Sequence, residues 1–321
     1  AQPWGLIIFK RNVKMPQQVS EFTESFRDAV GREAPILVDQ EGGRVQRLGP
    51  PHWPLYPPGA RLGALYDGEI ARGLSVARLE GRLLAADLKA LGIDVDCIPL
   101  ADVAAAGADP VIGDRAYGSE PGKVAAIAKA IAQGLMAGGV LPVVKHLPGH
   151  GRAAADSHHK LPVVDTDQAT LEATDFAAFK PLSRLPMGMT AHVVFSAIDP
   201  DAPATTSVTM VREVIRGFIG FGGLLMSDDV SMKALTGSIA ERSRAAFAAG
   251  CDVVLHCNGD AKEMEAVASI APELDGEAAA RAEAALAQRK APDEFDVDAA
   301  RKIFTQMVAA EPPPSQRKTG S

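Results

Sequence analysis

Short apolar runs alternate with longer amphipathic stretches along the chain, and the two periods separate strands from helices. Residues 5–9, 36–38, 93–99, 140–144, 187–194, 223–226 and 252–256 have the length and apolar continuity of strands buried on both faces. Between Ile70 and Leu91, the residues Leu74, Ala77, Leu84, Leu88 and Leu91 recur at three, four or seven positions, while Arg72, Arg82, Asp87 and Lys89 fall elsewhere. That is the period of an amphipathic helix, and Gly92 stands where a left-handed stop would end it. Strands alternating with helices imply βα units and a parallel sheet. With seven strands visible, the pattern predicts a (β/α)8 TIM-type barrel in which one strand is irregular or missing. It predicts one domain over residues 1–311, then a Pro-rich and basic tail, 312–321, that is expected to be disordered.

The polar residues carry a second pattern. Nearly every predicted strand ends in charged or imidazole groups: Lys10, Arg11 and Asn12; Asp39, Gln40 and Glu41; Asp102; Lys145 and His146; His192; Asp228 and Asp229; His256. In a parallel barrel the C-terminal strand ends converge on one rim, the place where such folds carry active sites.

Composition narrows the classes. The chain of 321 residues is 47% hydrophobic and 23% charged, as expected of a globular protein with a large core. A net charge of -7 without a basic stripe argues against a nucleic-acid partner. No run approaches the roughly 20 apolar residues of a membrane span. Cys97, Cys251 and Cys257 lie on or beside apolar runs without metal-type spacing, so they read as reduced thiols in a cytoplasmic setting. A monomer without a cofactor is expected.

Four constellations could carry chemistry. In DQEGGRVQR (39–47), two glycines let the backbone turn while acidic and basic groups face a ligand. Asp39 and Arg47 are candidates for ligand contact, whereas Glu41 and Arg44 suit an ion pair that braces the loop. In IGDRAYG (112–118), Arg115 can reach over the rim. The densest stretch is KHLPGHG (145–151) followed by Asp156, Ser157, His158 and His159. Pro148, Gly149 and Gly151 impose an irregular loop there, and Asp156 is close enough in sequence to orient His158 as a general acid/base. Lastly, a buried strand delivers Asp228 and Asp229 to the rim with side chains on different sides. Asp228 could attack an anomeric carbon. Asp229 suits the N-cap of a helix starting at Ser231.

These strings, with TAHVVFSAID (190–199) and SDDVSM (227–232), resemble in order the motifs of glycoside hydrolase family 3, in particular its compact bacterial β-N-acetylglucosaminidases of cell-wall recycling. The resemblance runs from near the start of the chain to about Asn258. It implies a retaining exo-hydrolase that removes terminal N-acetylglucosamine from muropeptide fragments. Asp228 would be the nucleophile and His158 the acid/base, activated by Asp156. Asp39, Arg47, Arg115, Lys145 and His146 would hold the sugar. Two rivals stay open at this point. A metal-dependent hydrolase could use His146, His150, His158 and His159, although no HExxH or HxH pair is present. A related β-glucosidase or phosphorylase would share the same motifs.

Overall fold

The computed structural model describes residues 2–309, so the predicted tail, 312–321, lies outside the described residues. Seven strands form one parallel sheet: β1 (Leu6–Ile8), β2 (Ile36–Val38), β3 (Val95–Asp96), β4 (Leu141–Leu147), β5 (Met187–Thr190), β6 (Leu224–Asp229) and β7 (Val253–Leu255). Their order in the sheet is their order in the chain. Each matches one of the predicted apolar runs. β3 is much shorter than the run 93–99, but parallel backbone bonding continues past it, from Val143 to Ile98, Lys145 to Pro99 and Ala101 to Lys145.

Helices fill the crossovers. α1 (Pro16–Val30) joins β1 to β2, α2 (Gly59–Gly68) and α3 (Ile70–Lys89) precede β3, and α4 (Pro121–Ala137) precedes β4. The connection from β4 to β5 carries α5 (Gln168–Ala173), and that from β5 to β6 a wide-turn helix, Met210–Phe218. α6 (Ile239–Ala249) leads to β7, and α7 (Ala261–Ile270), α8 (Gly276–Leu286) and α9 (Val297–Ala309) close the described chain. α3 covers the predicted helix, and Gly92 beyond it sits at φ +73°, where a side chain would be strained.

The alternation of side chains along the strands gives two cores. Ile8, Ile36, Val38 and Val144 face the helices in the larger one. Leu37, Val95, Cys97, Leu141, Val143, Met187, Met189, Leu224 and Met226 meet inside, where Ile7 of β1 and Val253 and Leu255 of β7 pack on the same cluster. Edge strands that share one inner cluster require a curled sheet. The expected eighth strand does not appear: among the described residues no ladder joins β1 to β7. That gap is bridged on the rim by the Arg11 guanidinium, which donates to the Cys257 carbonyl. A side chain spanning the gap leaves no strand-like apolar run to detect.

The opposite end of the sheet is sealed by arginines. Asp94 and Asp252, at the N-terminal ends of their strands, take the Ile36 and Leu225 amides, and they pair with Arg289 and Arg281 at 2.7 Å. α9 packs against α3 and Tyr56. Arg301 pairs with Asp87 at 2.8 Å, the Tyr56 hydroxyl donates to Asp87 at 2.6 Å, and the Tyr56 and Phe304 rings meet. No helix among the described residues is long and apolar enough to cross a membrane.

Candidate active site

The 39–47 segment leaves β2 and folds into a tight antiparallel hairpin, pairing Gln40 with Gln46 and Gly42 with Val45. Gly42 permits this: at φ +92°, a Cβ there would lie 2.4 Å from the Pro57 carbonyl oxygen. The Gln40 side chain holds the returning strand, its oxygen accepting from the Arg47 and Leu48 amides at 3.0 Å. Asp39 and Glu41 therefore stay side by side on the rim above β2.

Lys145, at the end of β4, enters between them. Its ammonium lies 2.8 Å from Asp39 Oδ1 and 2.7 Å from Glu41 Oε1, with 3% of its side chain exposed. Arg47 pairs with the other Asp39 oxygen at 3.0 Å, and Arg115 grips Glu41 with two bonds of 2.8 Å. Burial works to raise the pKa of both carboxylates, but Lys145 with Arg47 at Asp39, and Lys145 with Arg115 at Glu41, outweigh it and hold them below their ordinary values. Burial likewise works to lower the Lys145 pKa, and the two carboxylates carry it above the usual lysine value. The cluster is thus fully ionised. Two of the three ammonium protons are committed, which leaves one donor for a ligand.

His146 points to Asp102. The Asp102 carboxylate accepts from His146 Nδ1 at 2.7 Å and from the His146 and His150 amides at 3.2 and 2.7 Å. Burial pushes the Asp102 pKa up, and the imidazoles and amides bring it down to about 2. An ionised partner fixes the proton on Nδ1. Among the described residues no hydrogen bond engages His146 Nε2, so that nitrogen is available to a ligand.

Asp228 and Asp229 diverge as the alternation in β6 requires. Asp228 is buried, 8% exposed, and accepts from the Asp229 amide at 2.8 Å. Burial works to raise its pKa, but His192, His146, the Asp229 amide and Lys145 together bring it below the ordinary carboxylate value. Asp229 turns the other way, accepting from the Ser231 amide and hydroxyl at 2.9 and 2.6 Å and from the Cys257 amide at 3.0 Å. The helix expected at Ser231 is absent. Residues 230–237 make turns, and α6 begins at Ile239 behind a Ser238–Glu241 capping box. Asp229 therefore caps a turn and fastens β6 to β7.

Asp156 and His158 lie on the loop after β4. His158 Nδ1 is 2.7 Å from Asp156 Oδ1, which also accepts the His158 amide at 2.9 Å. Slight burial works to raise the Asp156 pKa, and the bonds from His158 outweigh it, so the carboxylate stays ionised. The loop is docked on the turn after Asp228, where the Ala234 amide donates to the Ser157 carbonyl at 3.2 Å.

The structure thus gathers Asp39, Arg47, Lys145, His146 and Asp228 around one rim, with Asp156 and His158 on a loop tied beside it. Arg115 sits there too, but its guanidinium is committed to Glu41 and to the Val111 carbonyl at 3.2 Å, so its observed work is bracing. Arg44 braces as expected, with Asp114 rather than a hairpin residue as its partner. The four histidines do not converge. His146 goes to Asp102, His150 to Ser157 and His158 to Asp156, while His159 Nε2 stays 3.9 Å from Asp156. Among the described residues no three His, Cys, Asp or Glu side chains form a metal-ligand set.

Asp102 and His192 stood at strand ends in the sequence without an assigned role. His192 is fully buried, with Nε2 2.9 Å from the Asp229 carbonyl and Nδ1 2.7 Å from the Thr205 hydroxyl. A carbonyl only accepts, so Nε2 carries the proton, and burial lowers the pKa and favours the neutral ring. It supports the backbone immediately after Asp228.

A family model described as the glycosyl hydrolase family 3 N terminal domain matches residues 4–289. A β-hexosaminidase of Aromatoleum aromaticum is 38% identical over 298 residues, 92% of this chain and 83% of that protein. A family 3 β-N-acetylglucosaminidase structure from Paenibacillus sp. str. FPU-7 has a TM-score of 0.83 at 28% identity; the match covers 94% of this chain and 62% of that one. NagZ from Neisseria gonorrhoeae in complex with N-trifluoroacetyl-D-glucosamine has a TM-score of 0.81 at 33% identity, covering 95% of this chain and 89% of that one.

Proposed function

The chain belongs to glycosyl hydrolase family 3 and is a β-N-acetylhexosaminidase, and from that premise we propose that it is a retaining exo-enzyme acting on terminal N-acetylglucosamine of cell-wall fragments. The observation that carries this reading is the buried, ionised Asp228 beside Lys145 and His146, with the Asp156–His158 pair docked on the turn that follows it.

Asp39, the third Lys145 proton, Arg47 and His146 Nε2 hold the sugar hydroxyls. Arg115 orients Glu41 and through it Lys145. Protonated His158 gives its proton to the departing oxygen while Asp228 attacks the anomeric carbon, forming a glycosyl ester and breaking the glycosidic bond. Neutral His158 then takes a proton from water, which attacks the same carbon and releases Asp228. Asp156 stabilises the imidazolium, much as a carboxylate does in a serine-hydrolase triad. We take the curled sheet as a (β/α)8-type barrel short of one strand, residues 1–311 as one catalytic domain, and the working form as a cytoplasmic monomer.

The test is the first-formed product anomer, followed by proton NMR on an aryl N-acetyl-β-glucosaminide. The β-anomer is expected, and initial release of the α-anomer would sink the retaining assignment. A panel of muropeptides, chitin oligomers and aryl glucosides, run with and without phosphate, then separates the named substrate and hydrolysis from glucoside cleavage and phosphorolysis.

A further inference from the structure

Between Ala154 and Leu161 the loop that carries Asp156 and His158 has one buried residue, Ser157, whose neighbours in sequence are exposed or half-exposed. Ser157 is 3% exposed and makes three contacts. Its carbonyl accepts the Ala234 amide at 3.2 Å, its hydroxyl faces the Met232 sulfur at 3.9 Å, and its oxygen lies 3.2 Å from His150 Nε2. With the hydroxyl proton directed at sulfur, the Ser157 oxygen is free to accept from Nε2–H of His150.

His150 has no part in the chemistry proposed above. It is 3% exposed, and among the described residues its buried Nδ1 has no hydrogen-bond partner. A buried imidazole satisfied on one side only is a poor way to fill space, because an apolar side chain would leave nothing unpaired. Its amide is fixed by Asp102, the same carboxylate that orients the His146 ring, and the two imidazoles pack edge to face with centroids 5.6 Å apart. One carboxylate therefore sets a sugar-side imidazole and, through His150 and Ser157, the loop.

We propose that His150 and Ser157 are positioning residues: a latch that seats the acid/base loop over the site and ties its placement to the Asp102–His146 pair. The proposal rests on His158 being the acid/base. With the latch broken, the loop spends more time away from the sugar, and proton delivery to the aglycone suffers while the sugar half of the site stays intact.

The aglycone makes this measurable. A 2,4-dinitrophenolate departs without a proton, whereas an alkoxide or unsubstituted phenolate needs one. Because kcat/KM reports only the steps up to aglycone departure, it isolates acid catalysis. Ser157→Ala and His150→Leu are expected to lower kcat/KM about tenfold to a hundredfold on phenyl and alkyl N-acetyl-β-glucosaminides, and less than about twofold on the dinitrophenyl substrate. His150→Gln keeps an N–H near Nε2 and is expected to restore most of the loss. Equal losses on all aglycones, or no loss, would overturn the latch. His158→Ala is the control. If it shows the aglycone dependence and the latch variants do not, the latch fails and the acid/base assignment stands. If His158→Ala lacks the dependence, both fall.

Discussion

Lys145 and His158 come from the same strand and the connection that follows it, and their surroundings differ in nearly every respect. Lys145 has 3% of its side chain exposed, fixed between two carboxylates that are themselves held by arginines, whereas His158 has 56% of its side chain exposed and, among the described residues, one side-chain partner, Asp156. The rim half is built from opposed charges in a low-dielectric setting, where each ion keeps the others in place and none can change charge cheaply. The loop half is open to water, with which an exposed imidazole can exchange protons. The proposed sugar contact needs the first arrangement and the proposed proton transfer the second, and one connection would supply both.

The comparison predicts separable losses of activity and stability. Asp228→Ala is expected to have the largest effect, about a thousandfold or more in kcat on an aryl N-acetyl-β-glucosaminide, because the variant loses the carboxylate on which the proposed glycosyl ester forms. Near-normal turnover would remove the nucleophile assignment. His158→Ala is expected to cost about a hundredfold to ten-thousandfold in kcat with unactivated aglycones, yet leave thermal unfolding within about 0.5 kcal/mol of the parent because the side chain is exposed. A melting temperature that fell with the activity would show that the loop half is also structural.

Lys145→Met tests the other side. Leaving Asp39 and Glu41 buried without their shared cation should cost roughly 3 kcal/mol of stability, a drop of about 5 to 10 °C in Tm, together with a raised KM. If Tm held steady while KM rose, the rim would be a ligand site without a structural role.

The smallest expected effect is a pH slope. Burial and the nearby His146 lower the His150 pKa to about 4, whereas the unfolded chain titrates near 6.5, so in this window the unfolded state binds the extra proton. Stability should therefore fall as pH drops from about 6.5 to about 4, by at most about 3 kcal/mol from this residue. His192, also lowered, adds in the same direction. The rim carboxylates have depressed values, so their stabilisation is present above the ordinary carboxylate range and is lost only as pH falls below it. Urea unfolding at pH 7 and pH 4.5 should show a smaller difference for His150→Gln than for the parent; an unchanged slope would contradict a neutral, buried His150.

Much of this was legible along the chain. All seven strands, the long helix ending before Gly92, the separate fates of Asp228 and Asp229, and the Asp156–His158 pair follow from periodicity, side-chain alternation and local spacing, which act over a few residues. Charge at a strand end was less informative than it looked, because Asp94 and Asp252 are buried strand-end carboxylates too, and they bind arginines at the far end of the sheet. Their distinction from Asp39 or Asp228 depends on strand direction.

The sequence by itself determined which residue types reach the rim, since apolar runs must be buried and the groups that end them emerge where the runs stop. Only the tertiary structure decided their partners: that Lys145 lies between Asp39 and Glu41, that Arg115 spends its guanidinium on Glu41, that Asp102 serves both His146 and His150, and that Ser157 is buried between half-buried Asp156 and exposed His158. These pairings join loops far apart in the chain. The curl of the sheet brings them together, and short-range patterning carries no record of that distance.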